Sequence, residues 1–302
     1  MTPLTLDYLT SLKIWRDGEV VDPARAVVSV WDHGLLYGDG VFEGIRLRSG
    51  RLYRPYDHLN RLHGSARAIA LEIPYDDDTL LRAVADTAAA NDIDEAHVRI
   101  VVSRGIGLPG IDPARCPRAT TLVLVYPFPP LLGSAPVTLI TSSIARKAPR
   151  SVPARVKSLS YLDSVLAKVQ ANNAGAGDAL MLDGSGLVAE ATGANVFIVS
   201  GKVLRTPPTT ASLAGITRGT ILELAGASGL ETSVEPLEPG DLYTADEAFL
   251  TGTGAGIVPV AAFDGRPLLA SPGPHTTALT KAYRATWSDP AYSIRLSDFR
   301  SR

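Results

Sequence analysis

Arg155-Val156-Lys157-Ser158-Leu159-Ser160-Tyr161-Leu162-Asp163 is the stretch on which the reading of this chain turns. It sets one lysine just ahead of an expected helix. Ser160 and Asp163 have capping-box spacing, and Leu162, Val165, Leu166 and Val169 recur behind them at helical period. An amine near the positive end of a helix dipole is harder to protonate. A neutral lysine can attack a carbonyl and form a Schiff base. Taken alone, a lysine beside a helix start is more often a solvated surface charge. The segment gains meaning from what surrounds it along the chain.

The chain has 302 residues, enough for two domains of ordinary size. Apolar residues at 45% against charged residues at 20% support a packed core and speak against wholesale disorder. A net charge of -2 gives no reason to expect nucleic acid or an anionic membrane as partner. Cys116 is the only cysteine, so no intrachain disulfide can form, which suits a reducing cytoplasm. Asp7, Lys13, Arg16 and Asp17 leave no apolar core for a signal peptide. The strongest apolar stretch, from Leu122 to Leu132, carries Pro127, Pro129 and Pro130 and is too short to span a bilayer. These features predict a soluble, cytoplasmic protein.

Turn chemistry and periodicity divide the chain. Asp17-Gly18 and Ser49-Gly50 each sit between strand-like runs and predict hairpins. A helix is expected from about His58 to Ala70, with Leu59, Leu62, Ala66 and Ile69 on one face. Asp76-Asp77-Asp78 precedes another helical run, and helix capping accounts for three acids there better than metal binding does; no metal site is expected. The β-branched runs His97 to Ser103 and Thr120 to Tyr126 predict strands. The proline-rich stretch 127–136 is the candidate linker between a small N-terminal domain, 1–126, and a larger cofactor-binding domain, 137–302. Beyond it, strands dominate, with helices expected from about Ile216 to Ala227, ended by Gly229, and from about Thr276 to Trp287. The fold class expected is α+β, with mostly hairpin-connected sheets.

Three further motifs carry possible chemistry. Thr251-Gly252-Thr253-Gly254-Ala255-Gly256 follows a strand and lets backbone amides approach an anion, although as an isolated motif it is more often a tight strand connection. It lacks the Lys-Ser/Thr of a phosphate-binding P-loop, and no helix pattern follows it. Gly215-Ile216-Thr217-Arg218-Gly219 opens a helix, where unpaired amides and the Thr217 hydroxyl make a ready anion site or a simple cap. Glu190 ends an apolar strand and leads into Ala191-Thr192-Gly193-Ala194-Asn195. Near a pyridine nitrogen such a carboxylate would hold that nitrogen protonated.

Order and spacing tie these motifs together. With Tyr37-Gly38-Asp39-Gly40-Val41-Phe42-Glu43-Gly44-Ile45-Arg46 and His58-Leu59-Asn60-Arg61-Leu62, they run from Tyr37 to Gly256, and the likeness they carry extends from about Trp15 to Trp287. On these residues the chain resembles the fold-type IV pyridoxal-phosphate enzymes, which include branched-chain aminotransferases, D-amino-acid transaminases and aminodeoxychorismate lyases. The resemblance implies two domains, a small α/β sandwich-like one and a larger pseudo-barrel, with pyridoxal 5'-phosphate held between them.

Carried over residue by residue, the resemblance makes Lys157 the Schiff-base lysine, Glu190 the acid facing the pyridine nitrogen and Tyr161 the tyrosine near the phenolic oxygen. Arg61, Ile216, Thr217 and Thr253 match the phosphate contacts, and Gly193, Ala194 and Asn195 belong to the same cofactor motif. Tyr37, Phe42, Gly44, Arg46, Arg99, Thr253 and Gly254 match substrate positions, with Gly44 expected to leave room for a side chain. The implied reaction is ping-pong transamination between an amino acid and a 2-oxo acid such as 2-oxoglutarate, with Lys157 as base and then acid.

Phe42, Gly44, Arg46 and Arg99 favour the branched-chain L-amino-acid subgroup. Ser160, Ala191 and the absence of an aromatic pair around Phe128 and Leu131 depart from it. Arg104 resembles instead the arginine that D-amino-acid transaminases place near the substrate carboxylate, and the lyase is a further alternative. A homodimer is also implied, with a loop from the neighbouring subunit closing the site.

Overall fold

The computed structural model describes residues 5–127 and 135–299. Most of the expected linker, residues 128–134 with Phe128 and Leu131, lies outside the described residues. The chain forms two compact units. The first comprises 5–127, 156–160 and 287–299; the second comprises 135–155 and 161–286. The division is therefore not one cut at 127–136, because two later segments return to the first unit.

In the first unit the described residues form a seven-stranded sheet in the order Ser293–Arg295, Arg51–Tyr53, Gly40–Arg48, Ala96–Ser103, Thr120–Tyr126, Ile14–Arg16, Glu19–Val21. Both expected hairpins form. Their turns take left-handed backbone at Asp17 and Gly18 (φ 48° and 116°) and at Ser49 and Gly50 (φ 47° and 69°), as tight hairpin turns require. Alternation then decides the faces. Val41, Ile45 and Leu47 lie with Val98, Ile100, Val102, Val123 and Val125 in one buried core. Against them pack Leu59, Leu62 and Ala66 from the helix Pro55–Ala68 and Leu80, Leu81 and Val84 from the helix Asp77–Ala90. Asp76 caps the latter helix, its carboxylate accepting from the Thr79 amide at 2.8 Å.

Two pairings explain why the later segments join this unit. Ser293–Arg295 runs antiparallel to Arg51–Tyr53. Residues 157–159 lie along the opening of the Gly40–Arg48 strand, where Phe42 N–H donates to Lys157 O at 3.0 Å and Leu159 N–H to Gly40 O at 2.9 Å.

In the second unit a larger sheet has the order Glu231–Val234, Val203–Thr206, Asn195–Ser200, Glu247–Gly252, Gly256–Phe263, Val137–Thr141, Asp178–Leu182, Val188–Ala191, with Arg266–Pro267 on the side of Gly256–Phe263. The last strand turns through residues 192–194 straight into Asn195–Ser200, near the other end of the order, so the sheet curls back on itself. Leu139, Leu180, Val196, Leu250 and Val260 fill the curl. Antiparallel pairing prevails here too among the described residues, with four hairpins in this sheet, and three parallel pairings are the exceptions. Val137–Thr141 is parallel to both neighbours, and Val203–Thr206 is parallel to Glu231–Val234. Parallel neighbours need crossovers, and the helices Leu162–Asn173 and Ile216–Ala225 lie within two of these connections.

The helix Leu162–Asn173 departs from the expected start. Tyr161 occupies its N-cap and no side chain caps it, so the Ser160–Asp163 capping box does not form. Asp163 turns instead to Arg146 at 2.8 Å. The helix packs through Ser164, Ala167 and Ala171, small enough for close approach to Ala179 and Met181, while Leu162, Val165, Leu166 and Val169 stay exposed. The expected apolar stripe is real but faces outward.

Candidate active site

Lys157 is fixed from both sides of its backbone. Its N–H donates to Ser65 Oγ at 3.1 Å, and its carbonyl accepts from Phe42. Residues opposite each other in antiparallel pairing point to the same face. The ammonium accordingly lies 4.5 Å from the centroid of the Phe42 ring, on the side of the sheet away from the two helices. Lys157 thus sits beside the opening of the Gly40–Arg48 strand, ahead of the helix Leu162–Asn173 and not on its first turn. The Arg99 guanidinium lies 4.1 Å from the same ring, and that of Arg46 lies 4.9 Å from the Trp287 ring.

Gly44 shares this face, but its space is already taken. A Cβ there would stand 2.7 Å from both Cε1 and Nε2 of His97, so the absence of a side chain makes room for this imidazole. His97 packs edge-on against Tyr126 at 5.7 Å. Burial, reinforced by Arg99, Arg46 and Lys157, pushes its pKa down to about 3, so the ring is neutral at ordinary pH.

The opposite face of the same strand carries a buried ion cluster. Glu43, fully buried, accepts from Arg61 Nε at 2.7 Å and Nη2 at 2.9 Å, and its Oε2 lies 2.6 Å from His58 Nδ1. Burial raises the affinity of the Glu43 carboxyl for its proton, but Arg61 and His58 outweigh it and hold the group well below the usual carboxylate range. Burial also lowers the His58 pKa, against the pull of Glu43. A neutral His58 beside an ionised Glu43 donates from Nδ1, which leaves Nε2 as an acceptor.

Arg104 has a different task from the one expected. Its Nε and Nη2 bond Asp39 at 2.8 and 3.0 Å, and Nη1 and Nη2 reach the carbonyls of Ala70 and Ile69 at 2.6 and 2.7 Å. These bonds brace the loop after the Ala96–Ser103 strand, and they remove the motive for assigning Arg104 to a substrate carboxylate. Tyr37 ends a short helix, His33–Tyr37, and its hydroxyl accepts from the Gly110 amide at 3.0 Å.

In the second unit, Glu190 is 4% exposed and pairs with Met181 within the strand Val188–Ala191. Arg146 grips one carboxylate oxygen, Oε1, through Nε at 2.8 Å and Nη2 at 2.6 Å. The other, Oε2, accepts from the Leu213 amide at 3.2 Å and Asn195 Nδ2 at 3.4 Å. Asn195 also donates to Leu213 O at 2.9 Å, which ties the strand Asn195–Ser200 to the approach of the helix Ile216–Ala225. Gly215 is the N-cap of that helix, and no side chain caps it. Thr217 is buried on the first turn, its hydroxyl 3.5 Å from that of Tyr283. Thr253 and Gly254 occupy the tight connection between Glu247–Gly252 and Gly256–Phe263. Tyr161 lies with its ring centroid 5.5 Å from Lys147 Nζ.

The model of the amino-transferase class IV family matches residues 40–263. This chain belongs to the class IV aminotransferases. A Methanocaldococcus jannaschii protein carrying a provisional branched-chain-amino-acid aminotransferase name is 48% identical over 84% of this chain and 89% of its own length. A crystal structure of Escherichia coli branched-chain amino acid aminotransferase superposes with a TM-score of 0.91 at 31% identity, covering 95% of this chain and 99% of that one. The branched-chain aminotransferase of the thermophilic archaeon Thermoproteus uzoniensis, crystallised with norvaline, gives 0.90 at 35% identity over the same shares. The α+β, two-domain fold class read from the sequence is that of these aminotransferases.

Sequence reading of this aminotransferase missed three features. Arg146 has no local signature, because its partner Glu190 is 44 residues away. His97 carries none either, since only strand pairing sets it over Gly44. Glu43 had one: in an alternating strand it occupies the parity of Val41 and Ile45, the core side, where an acid needs a buried partner.

Proposed function

We propose that this aminotransferase uses pyridoxal 5'-phosphate to exchange the amino group of a branched-chain L-amino acid with a 2-oxo acid such as 2-oxoglutarate, in ping-pong fashion. The observation that carries the reading is the Lys157 ammonium, held 4.5 Å from the Phe42 ring on the face that also bears Gly44, Arg46 and Arg99. The second unit's residues fit the cofactor. An uncapped helix N-terminus with a buried Thr217 suits a phosphate, and an acid gripped by arginine suits a pyridine nitrogen.

Pyridoxal phosphate supplies an aldehyde and a protonated ring that withdraws electrons from the substrate Cα–H bond. Lys157 Nζ is the attachment point and, once released, the base that takes the Cα proton and the acid that returns it. Glu190 would hold the proton on the ring nitrogen, and Tyr161 would serve the phenolic oxygen. Arg61, aimed by Glu43, would serve the phosphate, as would Ile216, Thr217 and Thr253, and Gly193, Ala194 and Asn195 would support the ring end. Gly254 with Thr253 takes the substrate carboxylate, while Tyr37, Phe42, Gly44, Arg46 and Arg99 line the side-chain path, with His97 filling the space beside Gly44. The D-amino-acid reading loses its main residue with Arg104 engaged elsewhere.

The chain is assigned to a homodimer in the cytoplasm. Supporting the dimer, Trp31, Leu35 and Leu36 in the first unit and Leu162, Val165 and Leu166 in the second are large exposed apolar side chains. Among the described residues no helix is long and apolar enough to cross a membrane.

Borohydride reduction of the cofactor-loaded protein followed by peptide mapping is expected to label Lys157. Turnover of L-leucine with 2-oxoglutarate completes the test. A label elsewhere overturns the Lys157 assignment, and turnover of D-alanine alone overturns the branched-chain one.

A further inference from the structure

A carboxylate that is 4% exposed and must stay ionised needs a counter-charge, and Glu190 has one of unusual geometry. Arg146 places both Nε and Nη2 on the single oxygen Oε1, at 2.8 and 2.6 Å, and its Nη1 reaches back to Asp163 Oδ2 at 2.8 Å. Lys147 stands 3.6 Å from the other Asp163 oxygen. The four charges alternate in sign along a line that runs inward from half-buried Lys147 and Asp163 to buried Arg146 and Glu190. The two Glu190 oxygens are consequently unlike. Oε1 takes a short charge-assisted bond from Nε, with Nη2 in ion-pair contact beside it, while Oε2 faces away from the guanidinium and accepts from the Leu213 amide at 3.2 Å and Asn195 at 3.4 Å.

We propose that Arg146 is a positioning residue for transamination: anchored by Asp163, it keeps Glu190 an anion and turns Oε2, the oxygen it does not itself hold, toward the cofactor's ring nitrogen. This rests on the reading that Glu190 faces that nitrogen. A salt bridge of purely structural value could engage both oxygens in the fork-to-fork arrangement usual for arginine and carboxylate. Here the fork closes on one oxygen only. Arg146 itself is in no danger of losing its charge. Burial favours deprotonation, but Glu190 and Asp163 outweigh it and raise its hold on the proton.

The consequence is electronic. Without Arg146, burial makes the Glu190 carboxyl take up a proton, and a neutral acid no longer holds the ring nitrogen charged. Loss of positive charge on the ring makes the nitrogen linking cofactor to Lys157 easier to protonate. The visible band of the lysine-bound cofactor then titrates at higher pH.

The experiment follows that band against pH in the loaded wild type and in Arg146→Met, Arg146→Lys and Glu190→Gln. In Arg146→Met the midpoint is expected to rise by roughly one to three units, in the same direction as in Glu190→Gln. Arg146→Lys keeps the charge but loses the two-point grip, and shows a smaller rise. The rate of the first half-reaction falls roughly tenfold or more in Arg146→Met and is partly rescued in Arg146→Lys. If Arg146→Met fails to retain cofactor, Arg146→Lys decides alone. A midpoint in the arginine variants within a few tenths of a unit of wild type, with Glu190→Gln shifted, overturns the inference and leaves Arg146 a structural brace. A wild type with no titrating band and no borohydride label on Lys157 removes the proposed function itself, a separate failure.

Discussion

Replacing Gly215 with alanine puts one methyl group where the structure has no room for it. The new Cβ would lie 2.0 Å from Asn195 Oδ1, 3.2 Å from its Cγ and 3.3 Å from Arg218 Cβ. The backbone at Gly215, φ -67° and ψ 133°, is ordinary for any residue, so the cost is steric and not conformational. Asn195 is 5% exposed and has to move by about 1 Å to reach normal contact. That movement breaks its 2.9 Å bond to Leu213 O and its 3.4 Å contact with Glu190.

One lost hydrogen bond of about 1 kcal/mol and a buried amide left unsatisfied at about 1–3 kcal/mol give roughly 2–4 kcal/mol of destabilisation. Stiffening of the unfolded chain by alanine offsets about 0.4–1 kcal/mol of that. Urea unfolding of the apoprotein measures the difference, and cofactor titration is expected to show weaker binding, because the helix start moves with the clash. Asn195→Ala in the same background removes the obstacle, so the double variant should be less destabilised than the sum of the singles by about 1 kcal/mol or more. Strict additivity, or Gly215→Ala within about 0.5 kcal/mol of wild type, the usual range of an innocuous change, would refute the steric argument.

Glu43→Gln removes the charge facing Arg61 and His58 without changing volume. Breaking a buried pair from one side is expected to cost about 3–5 kcal/mol, read by urea unfolding, and to weaken cofactor binding through a loosened Arg61; a cost under about 1 kcal/mol would contradict the cluster's role. Acid sensitivity follows from His97. Its pKa is depressed in the folded state to about 3, so the unfolded chain binds the extra proton first. Stability is complete above the ordinary histidine range and drains away as pH falls from about 6.5 toward 3. His97→Gln should flatten the pH dependence of the unfolding midpoint between about pH 6 and 4, and an unchanged slope would exclude His97 as its source.

Local chemistry made much of this protein readable from sequence. Asp17-Gly18 and Ser49-Gly50 specify left-handed turns wherever they occur, Asp76 caps whatever helix follows it, and the alternation of Val41, Ile45 and Leu47 needs only a core to face. Those signals lie within a few residues of one another, so the sequence carries them whole. The order of the motifs likewise named the family. What the sequence could not carry was partnership at a distance. Ser293 meets Arg51 across 242 positions, Arg146 meets Glu190 across 44, and His97 fills the gap at Gly44 only because two strands pair in one register. The Leu162–Val169 stripe has a core helix's periodicity, yet small Ala167 and Ala171 won the close contact and turned it outward. Periodicity and turn type are properties of neighbouring residues; a buried charge or a filled void exists only once separate segments have closed on each other.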